Sequence, residues 1–263
     1  MWTRGKSKLP LLAVSVALLL VLVPGVVRAE RAQRGNLIVA VNGGISPLKL
    51  PRVRPAPVAL RIAGRIETDD GSPLPRMKRI TLAIAGRGVL FTQGLPVCPR
   101  ARLRNADNRQ ALRRCHGALV GRGTLEASVF IPHQEPFAIH AILFAFNGRT
   151  PDGGPAVWVH AYAKTPPLSI VLPFIVHREG RRLRTTLSAT VPPALGGLPH
   201  LASFQLNLFR RYRHAGKLRS FLSASCPAPS GFTGGFLTIA KATYSFADGR
   251  RLRIGAVRGC RTR

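Results

Sequence analysis

Four stretches in the second half of this 263-residue chain each consist of two β-patterned runs around a turn-forming segment, and that repetition restricts the fold to antiparallel hairpins. The first joins FAIHAILFAF (137–146) to AVWVHAYA (156–163) across NGRTPDGGP; the second joins LSIVLPFIV (168–176) to RLRTTLSAT (182–190) across HREGR. A third joins LASFQLNLFRRY (201–212) to KLRSFLSAS (217–225) across RHAG, and the last joins GFLTIAKATYSF (235–246) to RRLRIGAV (250–257) across ADG. Earlier in the chain, NLIVAV begins at Asn36, and VALRIAGRIET from Val58 alternates so that Val58, Leu60, Ile62 and Gly64 share one side. After the turn DDGSPLP, KRITLAIAGRGVLFT (78–92) predicts a further hairpin bent at Gly86 to Gly88. About a dozen strands at this spacing suit a sandwich or a barrel. The expectation is an all-β fold: a two-sheet β-sandwich of successive hairpins in one unit from 30 to 263, with Pro166-Pro167 as the one weak internal seam.

Two segments depart from the strand pattern. Residues 45–57 carry Pro47, Pro51, Pro55 and Pro57, each lacking an N–H for a ladder, and predict an extended, poorly paired stretch. Residues 107–115 place Asp107 three positions before Gln110 and then run through good helix formers to Cys115, which predicts one short capped helix.

Arg4, Lys6 and Lys8 precede an apolar run from Leu9 to Val23, followed by Pro24, Gly25 and the small-residue ending Val27-Arg28-Ala29. This is the layout of a cleavable export signal over residues 1–29. As a membrane anchor the run is short: fifteen residues of helix cover about 22 Å against a hydrocarbon core of about 30 Å. The mature chain is therefore expected to be extracytoplasmic, secreted or associated with the cell surface, and cut off from cytosolic ATP and nicotinamide. In that setting Cys98, Cys115, Cys226 and Cys260 predict two disulfides. Four cysteines permit three pairings; the local ones, 98 with 115 and 226 with 260, are the natural choice. There is no CxxC, so metal ligation is the weaker use of these thiols.

Lysine and arginine number 40 against 10 acids. Residues 1–29 hold four of the basic residues and no acid, so the remainder keeps a net charge of +26. A GC-rich genome explains why Arg outnumbers Lys by 33 to 7, but not why Asp and Glu are scarce. A field of this sign attracts anionic partners and weakens with salt. The basic residues are spread along the chain and form no arm of the kind that grips nucleic acid, so no specific nucleic-acid partner is expected.

The series GLPVC (94–98), ALRRC (111–115), ALVGRG (118–123), LFAFNG (143–148), SFLSASCPAPSGF (220–232) and FADGRRLR (246–253) resembles a family of secreted, disulfide-containing, β-rich proteins of GC-rich actinobacteria, over most of the mature chain. The resemblance implies location, paired cysteines and a β-rich fold, and supplies no catalytic residue.

Motifs for known chemistry are missing. There is no GxSxG elbow, HExxH pair, phosphate loop or EF-hand run. A glycosidase needs two facing carboxylates, and here Asp69, Asp70, Asp152 and Asp248 fall in turns; Glu67, Glu126 and Glu135 are the mid-chain candidates, and a buried pair among them is not expected. No cofactor is implied. Two constellations remain. If the first hairpin is centred near residue 150, His140 falls opposite His160, and His140, Phe144, Phe146, Trp158, His160 and Tyr162 share a face. Phe144, Trp158 and Tyr162 would then form an aromatic surface, and His140 with His160 would supply two ligands of a metal-dependent hydrolase, with His133 or His177 as the nearest third; the plainer alternative is that this face is core. The other constellation is arginine. Arg178, Arg181, Arg182 and Arg184 surround the second turn; Arg210, Arg211, Arg213 and Arg219 flank the third, with Tyr212 and His214 among them; Arg250, Arg251 and Arg253 follow the last. Turns gathered at one end would merge these into a basic rim able to fork onto phosphate or carboxylate.

The sequence thus leads to the expectation of a noncatalytic, envelope-associated protein that binds an anionic cell-envelope polymer or a phospholipid surface through arginine-rich hairpin ends. The alternatives are a metal-dependent extracellular hydrolase using His140 and His160, and a structural interaction protein of the envelope.

Overall fold

The computed structural model of the chain describes residues 29–84, 86–179, 184–193 and 197–263. The export signal expected over 1–29 lies, apart from Ala29, outside the described residues, as do Arg181 and Arg182. In chain order the strands are β1 (Glu30–Arg34), β2 (Leu37–Ser46), β3 (Lys49–Leu50), β4 (Ala56–Thr68), β5 (Met77–Ile84) and β6 (Gly88–Leu90). After helix α1 (Asn108–Cys115) come β7 (Leu119–Val129), β8 (Phe137–Arg149), β9 (Pro155–Lys164), β10 (Pro167–Glu179) and β11 (Arg184–Thr190). The last are β12 (Pro199–Leu208), β13 (Arg211–His214), β14 (Lys217–Ser220), β15 (Leu222–Ala224), β16 (Gly234–Phe246) and β17 (Arg251–Thr262).

Thirteen strands form one continuous path, β1-β2-β4-β12-β7-β8-β9-β10-β11-β5-β16-β17-β3, with β15 and β6 paired beside the start of β4. The expected two-sheet sandwich is therefore replaced by a single curled sheet. Alternation along a strand reports only which residues face inward, and a sheet that curls around its own core has the same pattern as two sheets facing each other. Bulges at Leu201/Ser203 and Thr238/Ala240 add curvature. Val58, Leu60, Ile62 and Gly64 do face one way, into the main core, where the Phe204 ring occupies the space a side chain at residue 64 would fill.

The first, second and last expected hairpins form, as β8–β9, β10–β11 and β16–β17. The third does not. β12 stops at Leu208 and pairs with β4 and β7, leaving only the short tip β13–β14 as a hairpin. The bend expected at Gly86 to Gly88 likewise joins strands that do not pair: β5 lies between β11 and β16, whereas β6 pairs with β15. Within the proline-rich stretch, Ile45 and Ser46 continue β2, and β3 makes a two-residue parallel pairing with β17.

The helix forms where expected. Gln110 N–H donates to Asp107 Oδ1 at 2.7 Å and Asp107 N–H to Gln110 Oε1 at 3.1 Å, a reciprocal cap. Both local disulfides are present, Cys98–Cys115 and Cys226–Cys260, and no described cysteine is free. The first bridge closes an excursion, residues 91–118, that packs on the outside of β8 and β9. This covers a second apolar cluster of Leu103, Ala111, Phe144, Phe146 and Trp158, separate from the core inside the curl. Among the described residues no helix is long and apolar enough to cross a membrane.

Candidate functional site

Strand directions define two ends of the curl. The turn after β8, the end of β10 and the start of β11 lie at one end, the upper, with the starts of β4 and β16, the end of β17 and the β13–β14 tip. At the lower end lie the starts of β5 and β17, the end of β4 and the turn after β9. Arg178 and Arg184 of the second arginine group thus share the upper end with the third group. Arg250, Arg251 and Arg253 sit at the lower one, so the three groups do not merge into one rim. Arg250 is moreover engaged, with its Nε 2.6 Å from Asp248 Oδ2 and its Nη1 2.5 Å from Asn36 Oδ1.

The upper arginines divide by contact. Arg210 Nη2 donates to Gly117 O at 3.5 Å, and the Arg219 guanidinium stacks 4.9 Å from the centroid of Phe91. Tyr212 donates its hydroxyl toward the carbonyls of Phe91 and Gln93, at 3.1 and 2.9 Å, which clamps the β13–β14 tip to the start of the excursion. Arg211 and Arg213 alternate with Tyr212 on the strand and therefore point to the other side, where both are exposed. Arg178 is exposed too, and its Nη2 donates to Leu90 O at 3.2 Å. With Arg149 it lines an outer cleft that reaches Leu90, Gln93, Asn147 and Gly148. Arg184 begins β11 at this end.

Acids are distributed the opposite way. Five of the ten, Glu67, Asp69, Asp70, Glu135 and Asp248, belong to lower-end turns or strand ends, and the upper end holds Asp152 in a turn and Glu179 at the end of β10. The Asp70 carboxyl is held down to about 2 by hydrogen bonds from Ser72 and Asn36, so it is charged at any ordinary pH.

The expected histidine pair is corrected. The β8–β9 register sets Phe144 opposite His160 and Phe146 opposite Trp158, because the tip tightens to Thr150–Gly154, with Thr150 N–H donating to Gly154 O at 2.9 Å and Gly153 at φ +84°. His140 instead faces Glu126 across the β7–β8 pair and is exposed. His160 is fully buried on the face covered by the excursion. Its Nε2 lies 2.9 Å from Ala106 O and 3.3 Å from Ser169 Oγ, and its Nδ1 has no partner. Burial pushes its pKa below 6.5, outweighing the bond to Ala106 O and the field of Asp107, so the ring is neutral and donates from Nε2. The two rings therefore do not converge on one ion, and among the described residues no group of three or more His, Cys, Asp or Glu could hold a metal.

The aromatic face is corrected as well. Phe144 and Trp158 are core, with Trp158 Nε1 donating to Cys98 O at 2.9 Å; only Tyr162 is partly open, lining a shallow cleft with Phe137 and His140. Ser203, Glu126 and His140 lie side by side on the outer face of three neighbouring strands, but the glutamate stands between hydroxyl and imidazole, so neither can activate the other directly.

One residue that composition did not mark is Asn147. It is buried, donates from Nδ2 to Pro96 O at 3.0 Å and accepts Cys98 N–H at its main-chain carbonyl, which docks the excursion on the hairpin. The signal for it is a polar residue at an inward position of a strand run. The interior of the curl also holds apolar cavities of about 130 and 100 Å³ near the upper and lower ends.

No protein-family model, curated protein or solved structure matches the chain.

Proposed function

We propose that this is a noncatalytic, extracytoplasmic, envelope-associated binding protein that engages an anionic surface through the upper end of its curled sheet. The observation that carries this reading is the uneven distribution of acids along the sheet: Arg178, Arg211 and Arg213 are exposed at the end that holds Asp152 and Glu179, while five of the ten acids sit at the other. A guanidinium fork matches phosphate and carboxylate alike, so phosphorylated or carboxylated polymers and phospholipid headgroups all belong to the ligand class. The two disulfides suit an oxidising compartment.

The test is binding of residues 30–263 to anionic polymers and anionic vesicles across a salt series, repeated with R178E/R211E/R213E. Charge reversal at these three positions is expected to weaken binding at least tenfold, without lowering the melting temperature. Equal binding by the variant, or binding that tracks only the charge density of the probe, nucleic acid included, would refute a site at this end.

A further inference from the structure

The upper end carries a second feature that charge alone does not explain. Phe236 is 80 % exposed, Val53 69 %, Phe232 64 % and Leu48 52 %. These come from distant parts of the sequence and are collected at one corner by main-chain bonds: Arg261 N–H donates to Leu48 O at 3.0 Å, and Thr262 N–H to Thr233 O at 2.8 Å. Arg52 donates from Nη1 to the carbonyls of Ala228 and Pro229 and from Nη2 to that of Phe232 at 2.9 Å, latching the loop before β4 to the loop before β16. Cys226–Cys260 ties the loop before β16 to β17 at the same corner.

This corner is built rather than loose. Phe236 stands opposite Gly259, which has no side chain to cover the ring, and Val257 lies diagonally beside it on the same outer face, also exposed. Gly235 is pressed against Ala228, whose Cα would lie 2.9 Å from an added Cβ. Around the apolar group, Lys49, Arg54, Arg261 and Arg263 are exposed, and the segments 47–58, 227–247 and 251–263 contain no acid.

We infer that this corner is a bilayer-docking surface, in which Phe232 and Phe236 seat at the headgroup boundary of an anionic phospholipid membrane while Lys49, Arg54, Arg261 and Arg263 hold its headgroups. The inference rests on the upper end being the anion-binding end, and it names the carrier of the anions. Apolar side chains standing out within a cationic rim match the layered chemistry of a membrane interface, apolar below and anionic above. A second copy of the chain is a poor occupant, since it brings the same net charge of +26. A soluble polyanion satisfies the rim but has nothing to offer Leu48 and Val53.

From residue 30 onward Trp158 is the chain's one tryptophan, and it is buried, so Phe236→Trp supplies a clean reporter. With vesicles of phosphatidylcholine containing phosphatidylglycerol, the F236W emission is expected to shift to the blue and to be quenched by brominated acyl chains. F232S/F236S is expected to lose at least tenfold in vesicle affinity while keeping its melting temperature and its binding to heparin. Unchanged F236W emission on bound vesicles overturns the inference, as does full vesicle binding by F232S/F236S or equal loss of heparin and vesicle binding. Wild-type binding to heparin but not to vesicles overturns this inference alone. Failure to bind either overturns the underlying reading too.

Discussion

The Arg258 guanidinium lies 2.5 Å from the Glu30 carboxylate, and this pair joins the last long strand of the sheet to the first. Glu30 Oε1 also accepts the Val257 N–H at 3.1 Å, and Arg258 Nη2 reaches Asn42 Oδ1 on β2 at 2.6 Å. Side chains thus stand in for a backbone ladder between β1 and β17.

Breaking this pair should loosen that seam. Burial pushes the Glu30 carboxyl up, but the hydrogen bonds from Arg258 and Val257 outweigh it and hold the group below its ordinary 4.5. Because the folded value is the lower one, the contribution is complete above 4.5 and is lost as pH falls through the folded value. E30Q is expected to cost about 1 kcal/mol near neutrality. Thermal melts of wild type and variant should converge in acid; a constant gap at all pH values would assign the effect to packing.

His160 acts at a higher pH. Its folded pKa lies below 6.5, so the unfolded chain binds the extra proton first, and stability falls as pH drops from 6.5 toward the folded value. His160→Gln keeps a donor for Ala106 O and removes the titration. Denaturant midpoints measured from pH 7.5 to 5 should decline for the wild type and stay flatter for H160Q.

The contact between Gly148 and Trp158 sets how closely the hairpin fits its cover. A methyl group at residue 148 would lie 2.2 Å from the indole Nε1. Gly148→Ala must push the ring off its bond to Cys98 O and is expected to destabilise by about 1–3 kcal/mol. Tryptophan emission, which in residues 30–263 reports Trp158 alone, should move to the red.

The two disulfides are expected to differ in consequence more than in energy. Their sequence separations, 17 and 34, correspond to about 3 and about 4 kcal/mol in the chain-entropy model. C98A/C115A should free the excursion and expose Trp158, which iodide quenching would detect. C226A/C260A should leave that quenching unchanged and loosen instead the Phe232 and Phe236 corner, seen as faster proteolysis of residues 227–233.

What the sequence made legible was local. The Asp107–Gln110 cap, the local cysteine pairs and the alternation around three turns each rest on residues near one another in sequence, and all three appear. Two things rested on partners distant in sequence. Nothing in KRITLAIAG says that β5 pairs with β11 and β16 rather than with the run that follows it. Similarly, the shared face of Phe144, Trp158 and His160 is visible in the alternation, but its cover, residues 91–118, is loop and short helix with no periodicity of its own. The exposure of Phe232 and Phe236 is not legible because they lie at a glycine-rich strand start, where an apolar residue has the pattern of core.

The sheet order has a consequence for the time course of assembly. β5 takes both neighbours from residues beyond 183, and β4, paired on one side with β2, waits for β12 on the other. A chain delivered N-terminus first therefore carries these two runs with open edges until most of its length has emerged. Such distant pairings are slow to form and, until they do, offer template edges to other chains. Yield on refolding should depend steeply on protein concentration, and peptides matching 77–84 should interfere most by taking the place of β5 between β11 and β16.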